Sequence, residues 1–186
     1  SVRVFVWNGS SWTQRGSDID GEAAGDQSGG KISLSSDGTT LAVGATRNAG
    51  GGSGRGHVRV FTWNGSAWVQ RGADLEGSSD ADLFGTSVSL SADGSILAVG
   101  ISGVNTGPGG DEGQVQVFSW SGSAWSQRGS SLDGDVAAER FGSDVSLSSD
   151  GSVLVVAAYQ NSTMGSAAGR TKFYRWSGSA YEQSGP

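Results

Sequence analysis

Carboxylates gather in two stretches of this chain. Asp18, Asp20, Glu22 and Asp26 lie in one, Asp74, Glu76, Asp80 and Asp82 in the other. Calcium takes about six to eight oxygen ligands, so both stretches are candidate low-affinity calcium sites. The competing reading is solvated loop charge with turn-forming Asp. The one histidine, His57, stands at a strand entry with no acidic or Ser partner implied by its spacing. It reads as an exposed strand histidine.

Other chemistry is thinly represented. The chain contains no HExxH pair, nucleophile elbow or Walker loop. Gly50–Gly56 is glycine-rich but lacks the Lys-Ser/Thr ending of a phosphate loop. The expectation is a protein that is not an enzyme, with calcium as the one candidate cofactor. Asn8, Asn64 and Asn161 begin glycosylation sequons. Asn161, in a variable loop, is the best acceptor of the three, and turn chemistry accounts for the other two.

The 186 residues carry 12 basic and 18 acidic side chains, a net charge of −6. Lysine occurs only at Lys31 and Lys172. Such a surface lacks the clustered cations that nucleic acid requires. There is no cysteine, hence no disulfide or thiolate site. No apolar run approaches the roughly 18 residues of a membrane span.

A repeat positions all of these residues. Val2–Gly16, Val58–Gly72, Val115–Gly129 and Thr171–Gly185 are close copies. In each, two aromatics flank the turn, Trp7 and Trp12, Trp63 and Trp68, Trp120 and Trp125, Trp176 and Tyr181. Their alternation reads as strands, and Asn-Gly or Ser-Gly as the tight turn between them. The aromatics are expected to pack across the strands, with a sugar-stacking surface as the alternative. Arg15, Arg71 and Arg128 follow them and are expected to stack on Trp or to pair with the acidic connections. A second hairpin carries Asp37-Gly38, Asp93-Gly94 and Asp150-Gly151. Its second strands, Leu41–Ala45, Leu97–Ile101 and Leu154–Ala158, look buried on both faces. Ile19, Leu75 and Leu132 are expected to anchor the connections to a neighbouring sheet.

Four antiparallel strands repeated in tandem indicate an all-β fold of β-propeller blades. The whole chain reads as one repeat domain with about three and a half blades. Residues 1–16 are the outer strand pair of a half blade, and 31–72, 87–129 and 143–185 are complete blades. The chain opens mid-repeat, so it reads as a fragment or a processed chain. It belongs to a longer propeller, closes a ring with a second copy, or enters an open assembly.

Phe84-Gly85-x-Ser87-Val88-Ser89-Leu90 followed by Leu97-Ala98-Val99-Gly100-Ile101 resembles an FG-GAP repeat, the blade of the integrin α-subunit propeller. Phe141-Gly142 with Val155-Val156-Ala157-Ala158 is a looser match. In the first blade Ser28 replaces the Phe, while Ala42-Val43-Gly44-Ala45 keeps the end of the motif. The resemblance implies a non-catalytic extracellular or cell-surface module for adhesion or structural assembly. Its partners would be proteins or further copies of itself. A carbohydrate-binding, lectin-like propeller with glycan partners is the alternative. Nucleic-acid binding and membrane insertion are not expected. The calcium loop of integrin blades is not carried over, because the Asp37-Gly38 turn and its copies are too short to supply the ligands.

Overall fold

A computed structural model describes residues 1–50, 53–104, 110–161 and 168–185. These residues form sixteen strands and, among the described residues, no helix. β1 (Phe5–Trp7) and β2 (Trp12–Gln14) make a two-stranded sheet. β3 (Lys31–Leu34), β4 (Thr40–Ala45), β5 (His57–Trp63) and β6 (Trp68–Gln70) form the first full blade, with β7 (Leu75–Glu76) also on β5. β8 (Phe84–Leu90), β9 (Ile96–Ile101), β10 (Gln114–Trp120), β11 (Trp125–Gln127) and β12 (Leu132–Asp133) repeat that plan. β13 (Phe141–Leu147), β14 (Val153–Ala158), β15 (Arg170–Trp176) and β16 (Tyr181–Gln183) make the last blade. Neighbours within every sheet are antiparallel.

The tight turns combine a left-handed glycine with a side-chain cap. Gly9 takes a positive φ of 103° and Gly38 one of 67°, but the preceding Asn8 and Asp37 do not. These residues act through their side chains. Asn8 Oδ1 accepts the N–H groups of Ser10 and Ser11, both at 2.9 Å. Asp37 Oδ1 accepts the Ser35 hydroxyl at 2.6 Å and the Thr39 N–H at 2.9 Å. The side chain thus satisfies donors that the tight turn leaves unpaired.

The blades stack face to face through their inner strands. β8 packs on β3 and β4, and β13 on β8 and β9. Every residue of β4 and of β9 is buried, as expected for strands with a sheet on both faces. In β14 alternate residues are only half buried, because it has a blade on one side alone. Gly100 explains the small residues: a Cβ there would lie 1.9 Å from the Gly142 carbonyl oxygen. The three apolar clusters lie between successive sheets. Val2, Ile19 and Leu41 belong to the first, Val60, Phe84 and Leu97 to the second, and Val117, Phe141 and Leu154 to the third.

Leu75 and Ile19 do not reach a neighbouring sheet through their backbone. Leu75 pairs with Val58 and Ile19 bridges Val2, each on the blade just completed. Their side chains enter the clusters between blades. The connection therefore extends its own outer strand before crossing.

Candidate functional site

The blade ends at β3, β8 and β13 converge on one pocket. It has a volume of about 570 Å³ and is lined by Lys31, Arg47, Arg140, Asp144, Ser143 and Tyr159, among others. The backbone repeats a strained feature there. Gln27, Leu83 and Arg140 all line the pocket and all adopt positive φ, at 57°, 59° and 53°. Each carbonyl accepts the N–H three residues on, from Gly30, Thr86 and Ser143. Left-handed non-glycine residues are costly, and here the repeat places one at this same position in each of the three blades. Arg140 donates to the Tyr159 hydroxyl at 3.3 Å and lies 3.9 Å from Asp111. Three cations thus face one concavity of a chain whose net charge is −6.

A second group assembles where β5 begins. His57, Glu22 and Asp74 place one ligand atom each within 4.8 Å of one another. His57 Nδ1 is 3.8 Å from Glu22 Oε2 and 3.6 Å from Asp74 Oδ2. His57 is 1% exposed, so the expectation of an exposed histidine without acidic partners is corrected. The partners arrive from connections before and after the strand, which local spacing around His57 does not show. Burial pushes the imidazole below its ordinary pKa, outweighing the opposing pull of Asp74 and Glu22. Candidate metal ligands are therefore present, as Glu22, His57 and Asp74.

The eight carboxylates expected to serve calcium do not gather into two cages. Asp18 pairs with Arg3 at 2.9 Å, and Asp80 with Arg55 at 3.1 Å. Asp26 and Asp82 are buried and cap their own connections, accepting the N–H of Ala23 and of Ser79. Asp20 offers its backbone carbonyl to Arg59. Glu76 pairs with His57 along the strand register. Glu22 and Asp74 come together from the two stretches, and a nitrogen ligand joins them.

The aromatics pair across each outer hairpin. Ring centroids are 5.7 Å apart for Trp7 and Trp12, 5.6 Å for Trp63 and Trp68, 5.4 Å for Trp120 and Trp125, and 5.1 Å for Trp176 and Tyr181. Arg71 lies 4.8 Å from the Trp120 ring of the next blade, and Arg128 lies 4.3 Å from Trp176. Asn8 and Asn64 are exposed in their turns. Asn161 is 1% exposed and its amide donates to Glu139, so the folded chain gives a glycan no room there. Ser162 and Thr163 of that sequon, and Gly51 and Gly52 of the glycine-rich stretch, lie outside the described residues.

No protein-family model matches the chain, and no curated protein sequence matches it. Solved structures do. Sqt1 of Saccharomyces cerevisiae matches with 13% identity and a TM-score of 0.52, over 85% of this chain and 35% of that one. A protein of Bacteroides uniformis described as a putative 6-phosphogluconolactonase matches at 15% and 0.55, over 95% of this chain and 46% of its own. The periplasmic gluconolactonase PpgL of Pseudomonas aeruginosa matches at 17% and 0.55, over 99% and 51%.

The fold is a β-propeller fold. The chain spans about half the length of the two lactonase structures. The integrin-type FG-GAP resemblance is corrected, because the matching propellers are Sqt1 and lactonase-named proteins. The Phe-Gly and Ala-Val-Gly segments that carried it are accounted for by blade packing, since Phe84 is buried against Phe118 and the glycines admit a neighbouring backbone. The adhesion-module and lectin readings, and the expectation of no enzyme, are corrected with it. Two of the propellers matched are named for hydrolysis of a lactone. No helix among the described residues is long and apolar enough to cross a membrane.

Proposed function

We propose that the chain belongs to a hydrolase of sugar-derived lactones, with the pocket at the convergent strand ends as its substrate site. The observation that carries this reading is the presence of Lys31, Arg47 and Arg140 around one concavity that also holds Asp144. The names of the two matched lactonases support it. An extracytoplasmic location is proposed with it, in line with the periplasmic description of one of them.

Lactone hydrolysis adds water to the ring carbonyl. Asp144 accepts the proton as the water oxygen bonds to the carbonyl carbon. Negative charge grows on the carbonyl oxygen and is met by the pocket's cations, which electrostatic preorganisation requires. The ring C–O bond then breaks, and the proton passes to the departing ring oxygen. The product is an open-chain hydroxy acid, which releases its acid proton to solvent, and the same cations hold the new carboxylate. The cations also favour a substrate that already carries an anionic group, such as a phosphate.

The test is a pH-stat assay of the purified chain with gluconolactone and with its 6-phosphate. Hydrolysis above the buffer rate, faster with the phosphorylated lactone, is expected. Rates equal to buffer for both, from protein that circular dichroism shows to be folded, would overturn the reading.

A further inference from the structure

We infer that Glu22, His57 and Asp74 form a binding site for one zinc-like divalent cation, separate from the pocket. The inference does not rest on the proposed lactone chemistry. Its first support is an unpartnered group. His57 is 1% exposed, and neither ring nitrogen has a hydrogen-bond partner. A buried polar atom with no partner costs stability. Here Nδ1 faces two carboxylate oxygens at 3.6 and 3.8 Å, too far for a hydrogen bond.

Those distances have a simple origin in coordination geometry. Ligands about 2.1 Å from a tetrahedral zinc stand about 3.4 Å from one another. The two distances from Nδ1 are slightly wider than that and all three ligand atoms lie within 4.8 Å of one another, so an inward movement of the carboxylates closes the cluster on the ion. Three ligands including one imidazole suit zinc or a similar first-row dication. They fall short of the oxygen cage that calcium takes. The fourth position is left for water.

The surroundings orient the ligands. Gln70 Nε2 donates to Asp74 Oδ1 at 2.6 Å, turning Oδ2 toward His57. Asn48 Nδ2 donates to Glu22 Oε2 at 3.2 Å and to the buried Asp26 at 3.1 Å. Such outer contacts are what hold metal ligands in place. One cation is already nearby: Arg59 Nη1 lies 3.7 Å from Glu22 Oε1. It faces the other oxygen of that carboxylate and balances one negative charge, with Asp74 and the buried Asp26 also acting on His57.

The other blades show how the repeat handles the same place. Counting by the repeat, Glu22 corresponds to Ser78 and Asp135, His57 to Gln114 and Arg170, and Arg59 to Gln116 and Lys172. In the middle blade all three are uncharged. In the last, Asp135 meets Lys172 at 2.6 Å and Arg170 at 3.0 Å, so the chain supplies both cations. Only the first blade pairs two carboxylates with a single arginine and a buried imidazole. A dication supplies the missing charge.

The experiment titrates the chelator-treated chain with zinc by calorimetry and with cobalt(II) by visible absorption. Expected are one zinc per chain, tetrahedral cobalt bands and a higher melting temperature with zinc. Asp74→Asn and Glu22→Gln, both at partly exposed positions, should each weaken zinc by at least about a hundredfold, while melting in chelator like the parent. Absence of stoichiometric zinc binding by the parent overturns the site. So does zinc binding that both variants retain, or calcium binding as tight as zinc.

Discussion

The indole Nε1 of Trp68 donates to the backbone carbonyl of Arg15 at 2.9 Å, across the boundary between two sheets. The contact recurs one blade on, where Trp125 donates to Arg71 at 2.9 Å. Three further contacts complete the junction. The Arg15 guanidinium lies 5.7 Å from the Trp63 ring, it donates to the Gly38 carbonyl at 3.0 Å, and Gly16 leaves no room for a Cβ against Trp63. At the last junction the Arg128 guanidinium lies 4.3 Å from the Trp176 ring, while Tyr181, in the place of the tryptophan, donates its hydroxyl to Gly151 of its own blade at 2.6 Å. Gly151 is the repeat counterpart of Gly38. Each Gln-Arg-Gly segment therefore latches its blade to the next.

Loss of one latch should be measurable. Trp125→Phe keeps most of the apolar surface but leaves the Arg71 carbonyl without its donor. A cost of about 1–2 kcal/mol follows. Trp12 is 66% exposed, so Trp12→Phe should change stability by less than about 0.5 kcal/mol. Urea unfolding of the two variants beside the parent checks the contrast. Equal effects would remove the latch interpretation.

The repeat made the blades legible. Asp-Gly pairs at equal spacing marked the inner hairpins, and the continuous apolar run Leu41–Ala45 marked a strand covered on both faces. The latches were half legible: Arg15, Arg71 and Arg128 recur, but that each reaches the following blade's Trp depends on how the sheets stack. The His57 cluster was missed because His57 was weighed by its local spacing. Comparing the repeats position by position would have exposed it, since Glu22 and Asp135 are acidic where His57, Arg59, Arg170 and Lys172 are basic, and Ser78 is neutral beside Gln114 and Gln116. The pocket was missed for another reason. Lys31, Arg47 and Arg140 occupy different positions within their repeats, so no period links them, and only the convergence of three strand ends brings them together.

The Asp-Gly turns give the fold an acid limit. The Ser35 hydroxyl, followed by the Thr39 N–H, holds the Asp37 carboxyl down at about 2. Ser148 and then the Ser152 N–H do the same for Asp150, also to about 2, and Asp93 is lowered by Ser91. An unfolded Asp titrates near about 3.9. The unfolded chain therefore binds these protons first, and stability present above about pH 4 is lost as pH falls toward 2. The melting temperature of the parent should drop through that window. An Asp37→Asn, Asp93→Asn, Asp150→Asn variant should melt lower at neutral pH and show a shallower drop.

Lys172 should resist removal more than a surface lysine does. It is 3% exposed and meets Asp135 at 2.6 Å. Lys172→Met keeps the buried stem but leaves Asp135 with Arg170 alone. Asp135 is half exposed, so water recovers part of the loss, and a cost of about 1–2 kcal/mol is expected. Thermal melts in low and high salt check it. The penalty should persist in salt, because the ammonium end is buried and poorly screened.

Two substitutions separate binding from chemistry in the pocket. Lys31 is exposed on the pocket wall and Asp144 lies across it on β13. Lys31→Met removes a cation proposed to hold an anionic substrate in both ground and transition states. It should raise KM for the phosphorylated lactone by about tenfold, with little change for the neutral one. Asp144→Asn removes the proposed proton acceptor, and kcat should fall by about a hundredfold or more for both substrates. If Asp144→Asn leaves kcat unchanged while Lys31→Met acts as described, the pocket binds lactones and the base lies elsewhere. If neither variant moves either constant, hydrolysis does not take place in this pocket.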